Sequence, residues 1–237
     1  MLHLNPDHFL QTPEGRGTTA ERNAWAKCHA ALPPAPGTQG YAEAADDIVS
    51  RYERIPFADK HRAMLHLLPT VPADVLDVGA GTGADAAWLA AQGHRVLAVE
   101  PVEALREAGL ALHKASSFEW LDDSLPALRA VVETGRRFDL VMITAVWMHL
   151  EAQERHAAMP IVASLLRPRG VMTMSLRHGP TPQDRRMFEV SAQETVALAG
   201  RHGLNAWVCQ RAASVQPANR AAGVSWSQLA FVNEARA

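Results

Sequence analysis

Val75-Leu-Asp-Val-Gly79-Ala-Gly81-Thr-Gly83 is the stretch on which the reading of this chain turns. A short, mostly apolar run leads directly into three spaced glycines, and a helical pattern from Asp85 to Ala91 follows. Glycines belong where a backbone turns tightly and a ligand approaches without a side chain in the way. A second apolar run, Val96-Leu-Ala-Val99, ends on Glu100, 21 residues after Gly79. In a doubly wound sheet both strand ends open into one crevice, where an acid after the second strand can accept both ribose hydroxyls. A nucleoside-type ligand is therefore expected at this turn.

The pattern extends outward. Helical periodicity recurs at about 102–112, 126–133 and 151–166, where Pro160 either kinks the last helix or opens its second half. Strand-like runs fall near Ser117–Leu121, Phe138–Ile143 and Gly170–Leu176. Strands alternating with helices in near-continuous apolar runs give an α/β, doubly wound parallel sheet covered on both faces. Ser191-Ala-Gln-Glu194 is a capping box opening a helix to about Arg201. Two last strands, Leu204–Cys209 and Val224–Val232, have no helix expected between them and should pair antiparallel. Ahead of the sheet, helices are expected at about 41–54 and 58–68, preceded by a Pro-rich irregular arm with a short helical piece near Thr19–Ala31. The expected organisation is an arm (1–37), a helical lid (38–70) and a Rossmann-like domain (71–237).

Glycine spacing separates the nucleoside ligands. A dinucleotide fingerprint places its third glycine three residues after the second, leaving room for pyrophosphate on a helix N-terminus. Here the third comes two after the second, and Asp77 precedes the loop. A carboxylate there repels a pyrophosphate and suits a ligand with an ammonium group and no phosphate. The segments Val75–Gly83 and Val96-Leu-Ala-Val-Glu-Pro101 closely resemble motifs I and II of the class I S-adenosylmethionine-dependent methyltransferases. The resemblance spans about residues 41–232. It includes Phe138–Ile143 as a fourth strand, Leu165-Leu-Arg-Pro-Arg-Gly-Val171 as the turn into the fifth, and an antiparallel seventh strand.

That resemblance implies a seven-stranded sheet and S-adenosylmethionine as cofactor. It also implies residue roles. Gly79, Ala80, Gly81 and Gly83 would face the cofactor, Asp77 would hold its amino group, and Glu100 its ribose. Pro101 and Val102 would lie along the adenine, with Asp122 or Asp123 at the adenine amino group or else at an acidic helix start. Thr144-Ala145-Val-Trp147-Met-His149-Leu150 would line the border between methyl donor and acceptor. Trp147 is then a substrate contact or core packing, and His149 a general base or a core histidine. After the fifth strand, Arg177 and His178 are candidates to grip an acceptor carboxylate or phosphate, and His178 is a second candidate base. Arg185 and Arg186 are assigned to a solvated loop with Asp184. Tyr41, Tyr52 and Phe57 either staple helix to sheet or close over the cofactor.

Composition narrows the partners. The chain has 237 residues, 48% hydrophobic, with 23 basic against 25 acidic residues. A balance that even gives no general pull toward nucleic acid or anionic membrane. Cys28 and Cys209 sit in no metal-type spacing, so no metal is expected, and a reducing, cytoplasmic setting is the default. No apolar run reaches the ~20 residues a spanning helix needs. The Pro-Pro-aromatic motif of base-modifying enzymes, the acidic cluster of metal-dependent catechol sites and paired arginine-methyltransferase glutamates are missing, which favours a small-molecule acceptor. Two rivals stay open: a cofactor-binding regulatory protein without catalysis, and a nicotinamide-dependent reductase.

Overall fold

In the computed structural model, residue 35 and residues 37–234 are described; the N-terminal helical piece and Cys28 lie outside them. The sequence order is α1 (Ala45–Tyr52), α2 (Phe57–Lys60), a 3-10 turn (Leu65–Leu67), β1 (Asp74–Val78), α3 (Ala84–Ala91), β2 (Arg95–Val99), α4 (Glu103–Leu112), β3 (Glu119–Leu121), α5 (Arg129–Glu133) and β4 (Phe138–Thr144). A second 3-10 turn (Trp147–His149) follows, then α6 (Ala152–Leu165), β5 (Leu166–His178), α7 (Ala192–Gly200), β6 (Leu204–Ala213), α8 (Pro217–Ala221) and β7 (Ser225–Asn233).

The seven strands form one sheet in the order β3-β2-β1-β4-β5-β7-β6. The first five are parallel, and β7 runs antiparallel between β5 and β6. This is the α/β, doubly wound arrangement with an antiparallel terminal strand that the sequence implies. Alternation along β1 and β4 explains why both faces are covered: Leu76, Val141 and Ile143 enter one apolar cluster, while Val75, Leu140 and Met142 enter another. Each such side chain stabilises the fold by roughly 1.5 to 3 kcal/mol on full burial.

The edge remote from the site is pinned by ions. Arg167 bridges Asp74 and Asp139 at 2.6 Å each, and Arg95 adds a second cation to Asp74. The hydrogen bond from Arg95, joined by that from Arg167 and working against burial, holds the Asp74 carboxyl down at about 2. The opposite, C-terminal edge carries the loops.

Four expectations are corrected. A short helix, α8, does separate β6 from β7, opened by Pro217 at its first position, where a missing N–H costs nothing. The helix expected over 58–68 stops after Lys60: Lys60 and His61 both turn to Asp85 at 2.8 Å, and the chain continues as turns. Pro160 does not open a separate second half, since α6 runs as one helix through it. Strand β5 starts four residues before Gly170, directly after α6, with Arg169 left-handed at φ 64°. Ser191 does cap α7, its hydroxyl accepting the Glu194 N–H at 3.3 Å, and a full reciprocal capping box opens α6 at Glu151 and Glu154. Among the described residues no helix is long and apolar enough to cross a membrane.

Candidate active site

A cavity of about 950 Å³ opens over the C-terminal ends of β1, β2, β4 and β5. Its floor is the glycine turn. Gly79 and Gly81 hold φ +71° and +59°, the left-handed region where a Cβ is costly, and both line the cavity with Ala80. The turn is anchored from beneath: Glu100 accepts the Gly81 N–H at 2.9 Å through one oxygen and the Val102 N–H at 2.9 Å through the other. Burial raises the Glu100 carboxyl above its usual range, outweighing these two donors. A carboxylate has about four lone-pair sites, so two stay free for other donors.

Asp77, the next-to-last residue of β1, is 2% exposed, and its Oδ2 has no hydrogen-bond partner among the described residues. Burial, then the nearby Asp85 charge, raises its carboxyl to about 8, with Lys60 acting the other way. Asp85 goes in the opposite direction: burial pushes it up, but Lys60 and His61 outweigh that and hold it well below the usual value. Two neighbouring buried acids therefore divide the charge, one ion-paired and one bare.

The helices before the sheet supply one wall. Ile48 of α1 packs with Val102 and Leu105, fixing α1 over the second strand's end. Tyr52 lies over Gly81, where a Cβ would stand 3.3 Å from its ring. Phe57 instead stacks on Trp88 at 3.9 Å, which makes it the staple between α2 and α3. The Tyr41 hydroxyl meets His149 Nε2 at 2.9 Å, and His149 Nδ1 meets the Arg186 carbonyl at 2.7 Å. A carbonyl can only accept, so Nδ1 carries the proton and Nε2 accepts from Tyr41. Burial lowers the His149 pKa, and Arg185, Arg177 and Arg186 lower it further against the help of the Arg186 carbonyl. The loop holding Arg186 is itself tied to the 3-10 turn, with Phe188 N–H donating to the Met148 carbonyl at 2.8 Å.

The residues singled out from sequence separate into two groups. Asp77, Gly79, Ala80, Gly81, Glu100, Pro101, Val102, Ala145, His149, Arg177 and Tyr52 all line the cavity. Asp123 also reaches it, with both carboxylate oxygens accepting local backbone N–H groups of Ser124 and Val131. Ala145 sits left-handed at φ 60°, its N–H donating to Ser175 Oγ at 2.9 Å.

Four candidates fall outside. Gly83 packs against Trp120 and Phe118. Asp122 is mostly exposed and pairs with Arg106 at 3.0 Å. Trp147 is fully buried in the main core, where its ring volume is accommodated while its neighbours on the turn face the cavity. His178 follows Ser175 and Arg177 on β5, so strand alternation turns it to the other face, where it bonds Ser227 at 2.8 Å. Sequence reasoning undervalued Tyr41 and missed Arg185, which lines the cavity with its guanidinium 3.8 Å over the Tyr41 ring. The consecutive arginines in a loop after the fifth strand, at the ligand-binding edge of an open sheet, were the available clue.

The site is thus a cavity over a glycine turn, with a buried, unpartnered acid beside it. Residues 75–170 match the family model described as a methyltransferase domain. Over that stretch the chain is similar to this family, and the seven-stranded order around it is the class I arrangement. A search of the curated proteins finds no match. Among solved structures, the 1,6-didemethyltoxoflavin-N1-methyltransferase of Burkholderia thailandensis, bound to 1,6-didemethyltoxoflavin and S-adenosylhomocysteine, is 22% identical over 94% of each chain with a TM-score of 0.64. The N-methyltransferase NodS of Bradyrhizobium japonicum, complexed with S-adenosylhomocysteine, is 15% identical over 82% of this chain and 98% of its own (TM-score 0.63). Magnesium protoporphyrin IX methyltransferase of Synechocystis, with S-adenosylmethionine, is 16% identical over 93% and 86% (TM-score 0.55). These likenesses establish the fold.

Proposed function

We propose that this chain transfers the methyl group of S-adenosylmethionine to a small-molecule acceptor by in-line displacement. The observation that carries the reading is Asp77: a buried carboxylate oxygen without a partner among the described residues, on a side chain that lines the cavity beside the glycine turn. Such an atom is costly unless a donor meets it, and a ligand ammonium is the donor that also compensates its charge. When bound, the cofactor supplies a methyl on a sulfonium, which leaves as a neutral thioether. The chain's part is alignment, which can contribute on the order of 7 kcal/mol or more. In this reading Asp77 holds the amino group, Glu100 offers its two free lone pairs to the ribose hydroxyls, and Gly79 to Gly81 leave room for the nucleoside. The helices of residues 38–70 act as a lid, with Tyr52 above the glycines.

The acceptor's proton leaves through the lid. The Tyr41 hydroxyl donates to His149 Nε2. An acceptor O–H or N–H can pass its proton to the Tyr41 oxygen while Tyr41 passes its own to Nε2. His149 would then be the proton store rather than the group in contact with the acceptor.

Calorimetry with S-adenosylmethionine and S-adenosylhomocysteine tests the cofactor half, and isotope-labelled methyl transfer to a panel of small acceptors tests the rest. Binding of a nicotinamide cofactor instead would end the proposal; cofactor binding without any methylated product would favour a regulatory protein. For the relay, Tyr41→Phe and His149→Gln should each lower turnover roughly 10²-fold. The double variant should be no worse than either single, and S-adenosylhomocysteine affinity should hold. Turnover near wild type in either single variant, normalised to folded protein, would remove the relay.

A further inference from the structure

The acceptor half of the cavity contains a charge that the described residues leave largely uncompensated. Arg185 has a side chain only 8% exposed, and its Nη1 is buried without a hydrogen-bond partner. Among the described residues its one carboxylate neighbour, Asp184, lies 3.4 Å from Nε and is 61% exposed, so it offers little to the buried end of the fork. A guanidinium cannot shed its proton to escape burial. Arg177 stands in the same wall, and its Nη1 donates to the Pro180 carbonyl at 2.7 Å rather than to a carboxylate. Both arginines act electrostatically on His149, which places two cations around the Tyr41–His149 pair.

The contrast with Arg186 is informative. That residue, next in sequence, bonds Glu154 at 2.9 Å and reaches Glu151 at 3.9 Å. The same loop therefore compensates the arginine that ties it to α6 and leaves bare the one that faces the cavity. The bare acid, Asp77, sits at the far, donor end on β1 and is matched to an ammonium in the reading above.

We infer that the acceptor is an anion, a small molecule with a carboxylate or an equivalent planar oxyanion, received by Arg185 and Arg177. The inference rests on the methyltransferase reading, since it assigns the part of the cavity left once the nucleoside is seated. A planar fork favours two parallel N–H···O bonds to a planar oxyanion. The stack of Arg185 on Tyr41 fixes the guanidinium plane against the hydroxyl that accepts the leaving proton. An anion docked there would hold the reacting atom of the acceptor beside that hydroxyl. It would also offset the positive field that lowers the His149 pKa, making Nε2 a better proton store once the acceptor is in place.

Benzoate and its neutral isostere benzamide are suitable probes, measured by calorimetry on the protein loaded with S-adenosylhomocysteine. Wild type should bind benzoate at least about tenfold more tightly than benzamide, the worth of one hydrogen bond to a charged group. Arg185→Gln should erase that preference, and Arg185→Lys should restore only part of it, since it keeps charge but loses the fork. Melting in the absence of ligand should be no lower for Arg185→Gln, because an unpaired buried cation is removed; a large loss would identify Arg185 as a fold element and overturn the assignment. Equal binding of the two probes, or binding of neither by the loaded protein, also overturns it. If S-adenosylhomocysteine itself fails to bind wild type, the methyltransferase reading falls instead.

Discussion

Gly81→Arg is expected to abolish measurable binding of S-adenosylmethionine in a chain that still folds. Gly81 is left-handed at φ +59°, and a Cβ there would stand 3.3 Å from the Tyr52 ring. That contact is tight but tolerable if the tyrosine shifts by a few tenths of an ångström, and the backbone strain is about 1 to 2 kcal/mol. The rest of an arginine side chain has one place to go, the cavity, where it occupies the nucleoside's volume and sets a cation against the expected ammonium. Affinity should fall at least about 10³-fold, some 4 kcal/mol. Gly81→Ala should cost only the strain. Gly79→Ala should behave differently: its Cβ would run into Val146 Cγ2, so the loss should appear first in melting temperature. Calorimetry paired with thermal melts separates the two. Unchanged affinity in folded Gly81→Arg would remove the glycine turn from the binding site.

Local chemistry explains which parts of this molecule were legible in the sequence. The glycine turn, Asp77 and Glu100 were legible because a tight turn between strand and helix needs particular residues at fixed spacing. The five parallel strands were legible because burial on both faces leaves continuous apolar runs. Helix α8 was not, since five residues between strands show no periodicity. Trp147 and His178 show where local pattern fails. Each neighbours a residue that does line the cavity, and only the turn of a 3-10 segment or the alternation of β5 decides which way each side chain points. Arg185 and Arg186 are the sharper case. Adjacent and identical in type, they differ because Glu154 of α6 reaches one and no buried acid among the described residues reaches the other. That distinction depends on partners more than thirty residues away in the chain.

Asp77→Asn should weaken S-adenosylmethionine binding by about 2 to 5 kcal/mol, the range for truncating one partner of a buried charge pair. It should also flatten a pH dependence that wild type shows. The Asp77 carboxyl is raised to about 8 by burial and by the Asp85 charge. Between the ordinary carboxyl value and that pH, the folded protein holds a proton that the unfolded chain has released. This group's contribution to stability is therefore lost as pH rises through the window. An ammonium beside Asp77 reverses the preference, because it pairs with the carboxylate and not with the acid. Binding must then expel the proton, and affinity rises with pH until about 8, by up to about tenfold per unit. Calorimetry in buffers of different ionisation heat should register close to one proton released near neutral pH for wild type and none for Asp77→Asn. The ligand-free variant should melt no lower than wild type above neutrality, where wild type must bury a charge and the amide does not. A flat wild-type profile with unchanged affinity in Asp77→Asn would mean that the bare oxygen serves no ammonium. If the proton is released and the variant's affinity collapses, one buried atom sets both the cofactor's charge preference and its pH range.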